Sequence, residues 1–232
     1  MPSERWLKIA ACTLLAVGGV SACHKRSGVP TQNAASGRET VAPTLIHKPL
    51  PAGVSQDVKK FIDAAVAQVG VTTGYDPSYI RLDYPGGDVP KETGVCSDVI
   101  VRSFRAVGVD LQKEIHEDMT RAWAEYPKKW GLNRPDRNID HRRVPNLMTY
   151  FQRKGKSLAI NNNPAISNNS AAYQPGDIVT WDLGEGVDHI GIVTDTLSAP
   201  AGPPLIAHNV GAGAKVEDVL FRWKITGHFR YF

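Results

Sequence analysis

The sequence predicts an α+β fold, and three observations predict it. Apolar residues recur at three- and four-residue spacing between Ser55 and Val107, short apolar runs bounded by Gly and Pro turns fill the chain after Tyr173, and the helices precede the strands instead of alternating with them. With 232 residues, 42% of them hydrophobic and 22% charged, the chain has the composition of an ordinary globular domain with room for one substantial core. A formal charge of +4, with basic residues scattered among acidic ones, gives no nucleic-acid footprint.

The first helix is predicted over SQDVKKFIDAAVAQVG. Ser55 can cap it, Val58, Phe61, Ile62, Ala65 and Val69 form its apolar face, and Gly70 ends it. A loop with a short extended segment follows as far as Gly87. The next helix starts at about Cys96, after a loop rich in Gly and Pro, because Val99, Ile100, Phe104 and Val107 recur at helical spacing up to a stop at Gly108. A thiol in the first turn of a helix lies near unpaired N–H groups and the positive end of the dipole, so Cys96 is expected to ionise below the free-thiol value of about 8.5. Another helix is predicted from Val144 to Arg153.

Strands are predicted at Ile178–Trp181, after the Pro175-Gly176-Asp177 turn, at His189–Val193, after Gly184-Glu185-Gly186, and at Leu205–His208, after Pro203-Pro204. Leu220–Ile225 and His228–Phe232 are further strand-like stretches. An imidazole on a strand beside a helix-initial cysteine can take the thiol proton and later protonate a leaving amine, and a third polar group fixes its tautomer. His189 is the candidate base and His208 the candidate orienting residue. Adjacent strand residues face opposite sides, so only one of His208 and Asn209 can point at His189; if it is His208, Asn209 is expected to brace the following turn through its own backbone.

Residues 1–23 open with Arg5 and Lys8, continue apolar from Ile9 to Val20, and end in Val20-Ser21-Ala22-Cys23. This resembles the lipobox of bacterial lipoproteins. The resemblance implies cleavage before Cys23, acylation of that cysteine, and, with His rather than Asp at position 24, residence at the outer membrane facing the periplasm. Of the three cysteines, Cys12 then leaves with the signal and Cys23 is capped by lipid. Cys96 remains as the one thiol of the mature domain. Residues 24–54, polar and rich in Pro, Gly and Ser, are expected to form a flexible linker to a domain over 55–232.

Tyr84-Pro85-Gly86-Gly87, Val95-Cys96-Ser97-Asp98, Gly108-Val109-Asp110-Leu111, Pro175-Gly176-Asp177-Ile178-Val179, His189-Ile190-Gly191-Ile192 and Leu205-Ile206-Ala207-His208, in that order, resemble the NlpC-type branch of papain-like cysteine peptidases. From about residue 56 onward the chain also resembles domain-of-unknown-function family 1287, taken as a relative of that branch. The resemblance implies a cell-envelope hydrolase cutting an amide of peptidoglycan stem peptides or cross-links. Its roles would be Cys96 as nucleophile, His189 as base and acid, His208 as orienting residue, and the Cys96 N–H with the Tyr84 hydroxyl as oxyanion donors. Val95 and Asp98 depart from the branch's Asp and Gly, and about sixty residues, 112–172, stand as an insertion. Within and beside it, Asp98, Arg142 and Arg143 are candidate substrate ligands.

No metal or cofactor is expected, and the envelope peptide, the membrane through the lipid anchor, and a monomeric state complete the expectations. Two competing readings are a wall-binding or scaffold lipoprotein without turnover and a metal hydrolase using Asp188, His189 and His208, for which no metal-binding spacing is present.

Overall fold

A computed structural model describes residues 46–50, 52–160 and 170–232. The expected signal segment, with Cys12 and Cys23, and most of the expected linker lie outside these residues. The last part of that linker is not a tether. Ile46–His47 is a short strand (β1) that pairs with Thr196 and Leu197, so the ordered domain begins before Ser55.

Four helices follow from their sequences. α1 spans Gln56–Val66, with Ser55 Oγ accepting the Asp57 N–H at 3.0 Å and Val58, Phe61, Ile62 and Ala65 buried. It stops short of Gly70, because residues 67–71 close into successive turns. α2 spans Cys96–Ala106, and Gly108, at φ 80°, turns the chain out of it. α3, Leu111–Arg121, is capped by the Asp110 carboxylate, and α4 spans Val144–Arg153 as the periodicity predicts. Both lie within or beside the expected insertion, which therefore supplies part of the helical layer.

The remaining strands are β2 (Ile178–Asp182), β3 (Asp188–Leu197), β4 (Pro204–Asn209), β5 (Ala214–Glu217) and β6 (Lys224–Phe229). They form an antiparallel sheet in the order β5-β4-β3-β2-β6, with β1 added to the end of β3. The two strand-like stretches expected at 220–225 and 228–232 resolve into the single strand β6, and β5 was not anticipated.

Both faces of the sheet are buried, which is why its strands read as near-continuous apolar runs. Ile178, Ile190, Ile192, Ala207 and Phe229 pack against Phe61, Val99, Ile100, Phe104 and Phe151 of the helices. On the other face Val179, Trp181, Val193, Ile206 and Ile225 lie under Val219 and Leu220, and Trp181 Nε1 donates to the Leu220 carbonyl at 2.9 Å. The turn ahead of β2 is clamped to the end of β6 by Asp177, which accepts from His228 Nε2 at 2.8 Å and from Arg230 Nε at 2.7 Å. Gly176 in that turn has φ 90°, and a Cβ there would lie 2.8 Å from Val58 Cγ1 of α1, so glycine is required on both counts.

Candidate functional site

Cys96 is the first residue of α2 and is 4% exposed. Its position is fixed from several sides. The Val95 N–H donates to Asp98 Oδ2 at 2.7 Å, so the residue that departs from the resembled motif caps the helix end that Val95 cannot cap. Ser97 Oγ donates to the Arg142 carbonyl at 2.6 Å, and Asn209 Nδ2 donates to the Gly94 and Gly74 carbonyls at 3.0 and 3.1 Å. The N–H groups of Cys96 and Ser97 and the N–H of Ile190 on β3 are directed at the sulfur. The thiol therefore rests against the strand backbone one residue beyond His189.

The histidines sit side by side. His189 Nε2 lies 2.9 Å from His208 Nδ1, and both rings are at most 2% exposed. Trp223 and Trp181 flank His189, each with its ring centroid 5.7 Å away. Gly191 makes the His189–His208 contact feasible, since a Cβ there would stand 2.6 Å from Ile206 Cγ2 and 3.2 Å from the Cβ of His208. Strand alternation sets the rings apart from the helix layer. Ile190, Ile192 and Ala207 face the helices, whereas His189 shares its face with Trp181, its partner on β2. Thiol and imidazole thus approach the same stretch of β3 from different faces, and among the described residues no hydrogen bond joins them.

Burial decides the protonation states. It pushes the Cys96 thiol up to about 12, against the three N–H groups that favour thiolate, and the Asp98 charge pushes it the same way. The expected low thiol pKa is overturned: the helix end is present, but desolvation outweighs it. Burial, with the neighbouring His208, holds His189 down to about 3. His208 is also lowered by burial, against the Glu217 carboxylate, which lies 3.1 Å from its Nε2. The resting groups are a neutral thiol and two neutral imidazoles.

A cleft of about 430 Å³ opens over Cys96, walled by Tyr75, Tyr79, Trp130, Arg143 and Asp188 among others. Tyr84, the expected oxyanion donor, does not line it. Its ring packs edge-on against His116 at 5.2 Å, over α3, with Arg137 5.5 Å from its centroid. Tyr75 occupies the cleft instead, its phenol pushed up to about 12 by burial and by Cys96 and Asp98. Its Gly-Tyr-Asp-Pro setting carries no motif by which the sequence would single it out.

Asp98 and Arg142 are not free to bind a ligand. They form a buried ion pair, Nε to Oδ1 at 3.0 Å and Nη2 to Oδ2 at 3.0 Å, and Arg142 also donates to the Ser78 and Asp76 carbonyls. Their work is to pin the 76–78 loop to α2. Arg143 differs: it lies 4.1 Å over the Trp130 ring, donates to Asp140 at 3.2 Å, and reaches the cleft wall. Asp188 is bonded to Lys129 at 3.0 Å and faces the cleft, away from His189 and His208, so the three do not converge on a metal. Asn209 braces its own turn as expected, accepting from the Gly211 N–H at 3.2 Å.

A helix-initial thiol laid on an antiparallel sheet that carries a buried histidine pair defines the class: an α+β domain with one cysteine-centred cleft. The chain belongs to the family described as Domain of unknown function (DUF1287), which matches residues 62–231. It is 56% identical over 170 residues, 73% of this chain and 80% of the relative, to the uncharacterized protein YijF of Escherichia coli (strain K12). No solved structure matches.

Proposed function

We propose that this protein is a papain-like, NlpC-type cysteine hydrolase of the cell envelope, acting on an amide of peptidoglycan stem peptides or cross-links. The observation that carries the reading is the buried His189–His208 pair, at 2.9 Å, one residue along β3 from the point where Cys96 meets the strand. Burying two imidazoles is costly unless each polar nitrogen is used. In this reading the Cys96 sulfur attacks the amide carbon and, because thiol and imidazole approach β3 from different faces, its proton passes by way of one water in the cleft to His189 Nδ1, the nitrogen that His208 leaves free. The C–N bond then breaks, the proton leaves with the amine, and water cleaves the thioester to regenerate the thiol. The Cys96 N–H and the Tyr75 hydroxyl are the oxyanion donors. Hydrogen bonds between nucleophile and base commonly tighten only when substrate fills the site. Arg143 on the cleft wall is the cation for a substrate carboxylate.

Anchoring through lipid on Cys23, at the outer membrane facing the periplasm, belongs to the same proposal. Cys23→Ala protein should lose the lipid mass and leave the membrane fraction.

One observation favours the second reading, a wall-binding protein without turnover: the thiol is held protonated and unpaired with His189, while Tyr75, Tyr79 and Trp130 line the cleft as exposed aromatic walls. Mass spectrometry of purified wall fragments incubated with the full chain separates the two. New amine and carboxyl ends that vanish with Cys96→Ala support hydrolysis. Retention of intact fragments by both forms supports binding alone.

A further inference from the structure

We propose that Glu217 is a positioning residue that fixes the tautomers of both histidines and so leaves His189 with a bare Nδ1. This rests on the hydrolase reading for its purpose, but its geometry stands by itself. Glu217 Oε2 lies 3.1 Å from His208 Nε2, and His208 Nδ1 lies 2.9 Å from His189 Nε2. A carboxylate only accepts, so His208 Nε2 must donate. A neutral imidazole carries one N–H, so His208 Nδ1 accepts and His189 Nε2 is the donor. Neutral His189 then has no proton on Nδ1, which is the state a general base requires.

The sheet builds this relay on one face. Ile206 pairs with Glu217 and His208 with Lys215, so Glu217 reaches His208 along the diagonal of the β4–β5 pair. The same diagonal step, across the gap left by Gly191, carries His208 to His189. The three residues cross three adjacent strands in one line. Trp181 and Trp223 wall in the rings and limit their rotation. Lys215 and Arg222 are the other charges near His208, and both are cations that cannot take the acceptor role of Glu217. Without the carboxylate, either tautomer of the pair satisfies the His189–His208 bond, and one of them puts the proton on His189 Nδ1.

Glu217 has 38% of its side chain exposed, so its replacement should leave the fold intact. The test is long-range proton–nitrogen correlation spectroscopy on the full chain labelled at histidine nitrogens. Wild-type protein should show His189 and His208 both as the Nε2–H form. Glu217→Leu should give a mixture of tautomers at both rings, and Glu217→Asp should restore part of the Nε2–H population. Unchanged tautomers in Glu217→Leu overturn the proposal. If instead the tautomers shift as stated but wall fragments are never cut, the positioning role stands and the hydrolase reading is what fails.

Discussion

Gly191 and His208 face each other across the β3–β4 pair so closely that a Cβ on the glycine would stand 3.2 Å from the Cβ of the histidine and 3.1 Å from the Ala207 carbonyl oxygen. The backbone oxygen cannot swing aside as a flexible side chain would. Gly191→Ala should therefore push β4 away from β3, lengthen the His189–His208 bond, and cost about 1–3 kcal/mol in urea unfolding. A variant as stable as wild type, with its histidine nitrogen spectrum unchanged, would show that the strands yield without disturbing the pair.

His208 and Asn209 point to opposite faces and should fail in different ways. His208→Ala removes the partner of His189 and should abolish any Cys96-dependent turnover. Asn209→Ala instead strips the donor from two loop carbonyls, those of Gly74 and Gly94, and should cost about 1–3 kcal/mol of stability. Measuring both variants for unfolding midpoint and for release of wall-fragment ends checks the division. Loss of turnover in a fully stable Asn209→Ala protein would reverse it.

The thiol offers a direct contrast between local and tertiary effects. The helix start was legible from the spacing of Val99, Ile100 and Phe104, and so was its favourable field. What was not legible is that Asn209 of β4 ties Gly94, just ahead of α2, to the sheet, that Ser97 ties the helix start to Arg142, and that the sulfur is buried between them. Alkylation of Cys96, followed by mass spectrometry of its peptide, should show no inflection between pH 7 and 9 and should climb only toward about 12. An inflection below about 8.5 would mean that the N–H groups outweigh burial after all.

The same limit explains which parts of the fold and site were readable. α1, α2, α4 and strands β2, β3 and β4 follow from periodicity and turn residues, because their local preference agrees with their tertiary use. β5, with the sequence Ala-Lys-Val-Glu, is too short and too polar to stand out, so Glu217 went unseen with it. β1 exists only because Ile46 and His47 find the end of β3. Asp98 and Arg142 looked like exposed ligands, since an ion pair between residues 44 positions apart leaves no trace in local sequence.

That pair is the next expectation. Breaking it leaves one buried charge uncompensated, so Asp98→Ala and Arg142→Ala should each cost roughly 3–5 kcal/mol. Replacing both, as Asp98→Leu with Arg142→Met, should cost clearly less than the two single losses added together. Urea unfolding of the four proteins gives the coupling. Single variants within about 1 kcal/mol of wild type would show that the 76–78 loop is held by other means.

His141 is 2% exposed, has no partner for Nδ1, and is held down to about 3 by burial and by the nearby Arg105 and Arg142, with Asp136 opposing. Its folded pKa is below the ordinary 6.5, so the unfolded chain takes up the proton first. Stability is then complete above about pH 6.5 and is lost as pH falls toward 3, at about 1.4 kcal/mol per pH unit for one such group. His189 acts in the same direction over the same window. Asp140 acts against them between 3.8 and about 6, because burial raises its carboxyl and the folded state binds that proton more tightly. His208 and His116 are lowered by burial as well, so the histidines together outweigh Asp140 and leave a net loss on acidification. His141→Phe should remove one of these contributions, so the fall in urea midpoint from pH 6.5 to 4.5 should be shallower than in wild type. An unchanged slope would mean that His141 finds a partner for its proton when the protein is acidified.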